Sequence, residues 1–202
     1  MTPTTDAAVW AAAEQLYARE GLKALTMRRV ADQVGISPMA IYHHFPGKDA
    51  LVDAVAGAGF GRLGASMAGA GNPARPPIER IRLILRRYLD FAEAEPAVFA
   101  LMFSRKNPGG VRFPEYFAEG KSPTFDLLRA AVTEGMRLGT FERGDPAEVS
   151  LAFWSLVHGL VVLRATGHLP TGKVLRGIMD RSVDRLLAGL AVPTRPSRSA
   201  RR

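Results

Sequence analysis

The chain predicts an all-α protein, with an N-terminal three-helix helix-turn-helix module joined to a larger helical C-terminal domain. Three observations predict it. Apolar residues recur three and four apart along nearly every segment. No stretch alternates apolar and polar residues with the period of two that a half-buried strand needs. Proline and glycine fall between the periodic segments, where helices start and stop.

Val9, Ala12, Ala13, Leu16 and Tyr17 occupy the i, i+3, i+4, i+7 and i+8 positions of one helix face, and Gly21 follows as a C-cap. Thr26 can N-cap a short second helix that buries Met27, Val30, Ala31 and Val34 and ends at Gly35, a residue tolerant of a left-handed turn. Ser37 caps a third helix. Pro38 takes its first position, where a missing N–H costs nothing, Ile41 and Phe45 form its inner face, and Pro46 and Gly47 stop it. A longer helix runs from Lys48 to about Met67, followed by the breaker-rich "AGAGNPARPP". Further helices are expected over 78–95, 96–104, 122–138, 145–166 and 171–190, with "SRKNPGGVRFPEYF" as a long irregular connection. The expected division is a DNA-binding module over 1–50, a helical domain over 51–192, and a basic, disordered tail over 193–202.

Composition narrows the chemistry. The 202 residues suffice for a small module fused to a larger core. Without cysteine there is no disulfide, no thiolate nucleophile and no cysteine metal site, which points to a reducing compartment. The opening "MTPTTDAAVWAAAEQLYARE" has no basic leader before an apolar core, and "LAFWSLVHGLVVL" is interrupted by Ser155 and His158 and is shorter than a bilayer span. A soluble cytoplasmic protein without membrane contact is expected. The formal charge is +8, but residues 1–60 hold five basic and six acidic residues, whereas the last ten hold four arginines and no acid. Bulk charge therefore does not locate a nucleic-acid site.

The local pattern does. Two short helices joined by a glycine turn and braced by a longer helix form a helix-turn-helix, whose second helix fits the DNA major groove. With Ile41 and Phe45 inward, Ser37, Pro38, Met39, Ala40, Tyr42, His43 and His44 are left for DNA. Tyr42 and His44 can donate to phosphate oxygens, Lys48 adds charge at the start of the next helix, and Thr26, Arg28 and Arg29 approach phosphates from the second helix. Neither histidine reads as a metal ligand, because adjacent helical residues do not share a face.

The stretch "GLKALTMRRVADQVGISPMAIYHHFPGKDALVDAV" resembles the N-terminal domain of the TetR family of bacterial transcriptional regulators. Its glycine, threonine, Val-Ala pair, Gly-Ile-Ser, Ile-Tyr, His-Phe and Lys-x-x-Leu stand at that family's spacings. "WSLVHGL" is similar to a Trp-His-Gly signature of one family subset, at Trp154, His158 and Gly159. The resemblance implies a homodimer that offers one helix-turn-helix to each half of a palindromic operator, with a C-terminal domain that dimerises and holds a small-molecule effector. The glycine-rich run "AGAGFGRLGASMAGAG" departs from the pattern and predicts a frayed or bent linking helix.

Beyond the module, aromatic and methionine side chains are more numerous than a support for a helix-turn-helix requires. Phe99, Met102, Phe103, Phe125, Phe153, Trp154 and His158 are the expected surroundings of an apolar or amphipathic ligand, although each taken singly is more often core than pocket. The segment 145–166 is apolar on nearly every side, and its successor carries a broad apolar stripe. Val161, Leu175, Ile178, Met179, Leu186 and Leu190 are therefore expected at a four-helix dimer interface. No cofactor, metal cluster, phosphate loop or acid-base pair is recognisable. The leading reading is a ligand-released repressor. Beside it stand a ligand-independent or architectural DNA-binding protein and a non-DNA helical binding or catalytic protein.

Overall fold

The computed structural model describes residues 5–104 and 112–192. They form α1 (Thr5–Glu20), α2 (Met27–Val34), α3 (Pro38–His44), α4 (Lys48–Met67), α5 (Pro77–Ala94), α6 (Pro96–Met102), α7 (Pro123–Arg137), α8 (Pro146–Ala165) and α9 (Lys173–Leu190). Short 3-10 turns stand at Ala68–Gly71 and Glu115–Phe117. Among the described residues there is no strand, and the one isolated bridge pairs Phe141 with Ala191. The all-α expectation holds, with most helix ends within two residues of the positions read from prolines and caps. Residues 193–202 and residues 105–111, half of the irregular connection, lie outside the described residues.

The linking helix, expected to be frayed or bent, does not fray. α4 is continuous through Gly57, Gly59, Gly61 and Gly64. One of these glycines has a packing role, since a Cβ on Gly59 would lie 2.8 Å from Met102 and 2.9 Å from Val98 of α6. Close helix approach offsets the weak helix propensity of glycine there.

The residues divide into two compact units. The first holds residues 5–66 and the described part of 90–113; the second holds 67–89 and 114–192. The first thus extends beyond residue 50, because Leu51, Val52 and Val55 of α4 and Leu101 of α6 share one core with Val9, Ala13, Leu16, Leu25, Val30, Ala31, Ile41 and Phe45. Arg62 of α4 ties this unit from outside the core. Its guanidinium donates to Glu14 of α1 at 2.7 Å and to Glu95, before α6, at 3.0 Å.

In the second unit α8 packs against both α7 and α9. Ser150, Phe153, Val157 and Val161 form its buried side, and Leu175, Met179, Val183 and Leu187 that of α9. This corrects part of the expected dimer stripe. Val161 is 2% exposed, Leu175 0% and Met179 1%, so all three are used inside the chain's own core. Ile178, Leu186 and Leu190 are half-buried. The large apolar side chains that α8 and α9 leave exposed are instead Val162, Leu163 and Val174. By length and composition alone α8 is apolar enough to cross a membrane.

Candidate nucleic-acid interface

Local chemistry shapes α2 and α3 before any packing. The Thr26 hydroxyl accepts the Arg29 N–H at 3.3 Å, and the Ser37 hydroxyl accepts the Ala40 N–H at 3.1 Å. Such caps contribute about 1 kcal/mol each. Between the helices Gly35 adopts φ +79°, and its N–H reaches the Ala31 carbonyl at 2.9 Å. A side chain would strain that left-handed backbone. Ile41 is fully buried against the first core, which fixes the rotation of α3 and turns its polar side outward. Ser37, Met39, Ala40, Tyr42, His43 and His44 line one surface there. Met39 is 79% exposed and Tyr42 52%, an unusual display of large side chains on so short a helix.

The basic residues divide by what they already hold. Arg28 stays at the surface, 4.0 Å from Asp32 one turn away. Arg29 is engaged by both carboxylate oxygens of Glu20, and this pairing keeps the Glu20 carboxyl below the usual carboxylate range. Lys48 donates to the Leu22 carbonyl at 2.6 Å, fastening the start of α4 to the α1–α2 connection. His44 Nδ1 lies 3.0 Å from Asp6 Oδ1. Sequence reasoning named Arg29, His44 and Lys48 but missed their partners Glu20, Asp6 and Leu22, each too far along the chain for a local pattern to reveal.

The seven residues expected around a ligand are shared between the units. Phe99, Met102 and Phe103 lie on or just after α6 in the first, where Phe103 packs 5.5 Å from Phe60 and 5.0 Å from Phe99, ring centre to ring centre. Phe125, Phe153, Trp154 and His158 belong to the second. Phe153 is wholly buried core, whereas Phe125, Phe117, Trp154 and His158 form a row of rings 4.5 to 5.7 Å apart. Tyr88 completes the row. Burial pushes its hydroxyl well above the ordinary phenol range, and the same burial lowers the His158 pKa. The Tyr88 hydroxyl and His158 Nδ1 share a hydrogen bond at 2.8 Å, the imidazole tautomer setting which of them donates.

The burial of His158, which lowers its pKa, predicts a pH effect. An imidazole harder to protonate when folded lets the unfolded chain bind more protons as pH falls through about 6.5, so stability is full above that value and declines below it. Melting temperatures between pH 7.5 and 5.5 should fall more steeply for the native chain than for His158→Gln. Parallel curves would remove His158 from the account.

A glycine-turned helix pair, capped at both starts, braced by α1 and presenting a polar α3 surface, defines a helix-turn-helix protein. The family model described as "Bacterial regulatory proteins, tetR family" matches residues 9–55, and "Tetracyclin repressor-like, C-terminal domain" matches residues 81–190. The chain belongs to the TetR family of bacterial regulatory proteins. Among curated relatives, the nucleoid occlusion factor SlmA of Vibrio vulnificus is 33% identical over 96 residues, covering 46% of this chain and 47% of the relative. The chain thus spans about half the length of the first such relatives. SlmA of Vibrio atlanticus is 32% identical, covering 73% of this chain and 90% of the relative. Among solved structures, a Rhodococcus sp. RHA1 protein of unknown function is 28% identical with a TM-score of 0.78, covering 94% of this chain and 97% of that one. The TetR-family regulator PfmR of Thermus thermophilus is 22% identical with a TM-score of 0.67, covering 91% and 99%, a likeness of fold.

Proposed function

We propose that this protein is a DNA-binding transcriptional regulator, a homodimeric repressor that occupies a roughly palindromic operator and is released by an apolar or amphipathic small molecule. The observation that carries the reading is the outward surface of α3, where Ser37, Met39, Ala40, Tyr42 and His43 stand together on a helix whose rotation is fixed by buried Ile41. The family match to regulators supports a binding rather than a catalytic role, cytoplasmic and nucleoid-associated when bound. Exposed Val162, Leu163 and Val174 support pairing with a second copy, since exposed apolar side chains gain by burial against a partner. Release requires a ligand that binds the DNA-incompetent conformation better, and its effect is limited by that difference.

The names of the curated relatives favour a second reading, in which a nucleoid occlusion factor acts from DNA without any releasing molecule. Footprinting on selected genomic fragments tests DNA binding. Repetition in the presence of stabilising hydrophobic compounds separates the two readings, because only the first expects the footprint to fade.

Tyr42 and Lys48 give a sharper test. Tyr42→Ala should weaken binding with little change in melting temperature, since the side chain is half exposed and its expected role is a phosphate contact. Lys48→Ala should weaken binding, flatten the salt slope by about one unit, and also lower stability through its lost bond to Leu22. Unchanged affinity for both, measured at two salt concentrations, would remove α3 and the start of α4 from the DNA interface.

A further inference from the structure

Near the start of α5 the second unit encloses a cation, Arg80. The residue is 5% exposed, and among the described residues its Nε is buried without a hydrogen-bond partner. No described carboxylate is paired with its guanidinium, whereas two more exposed arginines of the same helix are engaged by α9, Arg82 by Asp184 and Arg86 by Asp180. Glu134 of α7 feels the charge of Arg80. Both Glu134 oxygens, however, already accept from Arg137 at 2.7 Å, and those bonds are the main cause that holds the Glu134 carboxyl below the usual carboxylate range, with Arg80 a lesser one. Buried charges are ordinarily paired, because a charge taken out of water loses its hydration and needs acceptors in exchange.

We propose that Arg80 anchors a binding site for a small monocarboxylate within the second unit. Three features select that chemistry. A planar guanidinium offers parallel N–H donors that match the two oxygens of a carboxylate. One positive charge, already acted on by Glu134, favours a single negative charge over the two of a phosphate. The buried residues that follow along α5, Ile81, Ile84, Leu85 and Tyr88, are apolar or aromatic, which suits a hydrocarbon tail behind the head group. The inference gives a head group to the amphipathic molecule of the reading above, and rests on that reading only for an effect on DNA.

Occupancy is therefore tested without DNA. The full chain is titrated with sodium octanoate at constant ionic strength in chloride buffer, beside 1-octanol and inorganic phosphate, and melting is followed by circular dichroism. At roughly a hundredfold excess over its dissociation constant, octanoate should raise the melting temperature of the native chain by about 5 °C or more. Octanol, which has the tail without the charge, and phosphate should each give clearly smaller shifts. Arg80→Met keeps an apolar stem and removes the charge. It should melt about 3 °C or more above the native chain in chloride alone, and should lose the octanoate shift. Glu134→Gln removes the competing negative charge and should bind octanoate about threefold more tightly, but only while Arg80 is present.

An Arg80→Met chain that melts below the native one, or does not fold, would show that the guanidinium is satisfied within the chain, and would overturn the inference. So would an octanoate shift that survives in Arg80→Met, an equal shift from octanol, a larger one from phosphate, or octanoate binding no tighter in Glu134→Gln. Footprinting with octanoate present reads release separately: an unchanged footprint would count against release by this molecule and leave the carboxylate site in place.

Discussion

Phe141→Ala should lower the melting temperature by about 10 °C. Phe141 is 1% exposed and lies in the short turn after α7, where its ring fills the space beside Gly135. Its backbone N–H reaches the Gly135 carbonyl at 3.2 Å, and the next N–H, of Glu142, reaches the Leu190 carbonyl at 2.9 Å. The ring thus packs on the end of α7, and the backbone bond beside it ties this turn to the end of α9. Truncating a buried phenylalanine costs about 3 to 5 kcal/mol, the transfer loss plus the cavity left behind.

The partner residue supplies a stricter form of the same claim. A Cβ on Gly135 would stand 2.3 Å from two atoms of the Phe141 ring, so Gly135→Ala should destabilise strongly in the native background. Once Phe141 is alanine the clash is gone, and the better helix propensity of alanine, up to about 1 kcal/mol, should make the same change neutral or stabilising. Thermal scans of the two single variants and the double variant form a cycle. Additive losses would show that the ring and the glycine are not matched in this way.

Val162→Glu or Leu163→Glu should convert a dimer into a folded monomer. Both side chains are nearly half exposed in the single chain, at 45% and 46%, so a charge there disturbs little of its own core. At an interface between identical copies each substitution appears twice, and each buried unpaired charge costs several kcal/mol, so the dimer dissociation constant should rise on the order of a thousandfold. DNA affinity should fall with it, because one half-site then binds alone. Light scattering at micromolar concentration, beside circular dichroism, reads the outcome. Leu175→Glu and Met179→Glu are the contrasting pair, expected to unfold the second unit because those positions face its interior. A dimer that survives both Val162→Glu and Leu163→Glu would move the interface off this side of α8.

Much of the helix-turn-helix module is legible in the amino-acid sequence because its signals are short-ranged. Thr26 caps an N–H three residues on, Ser37 does the same, and Gly35 closes a turn on Ala31. The rotation of α3 follows from Ile41 and Phe45, four residues apart on one helix face and both buried. Side-chain partners are not legible in this way. Nothing local distinguishes Arg29, which is engaged by Glu20, from Arg28 beside it, and nothing near His44 announces Asp6.

The sequence by itself determined the helices, their ends, the turn between α2 and α3, and the outward set from Ser37 to His44, since these depend on periodicity and on caps reaching three or four residues. Only the tertiary structure decided which side of α8 is core. A helix apolar on almost every side carries no directional signal, and its rotation is settled by contacts with α7 and α9, which put Phe153, Val157 and Val161 inside and leave Val162 and Leu163 outside. The tertiary structure likewise added Leu101 of α6 to the core of α1 to α4 and joined Tyr88 to His158 across 70 positions. Burial and pairing at such separations depend on where the chain returns in space, which no local window of residues encodes.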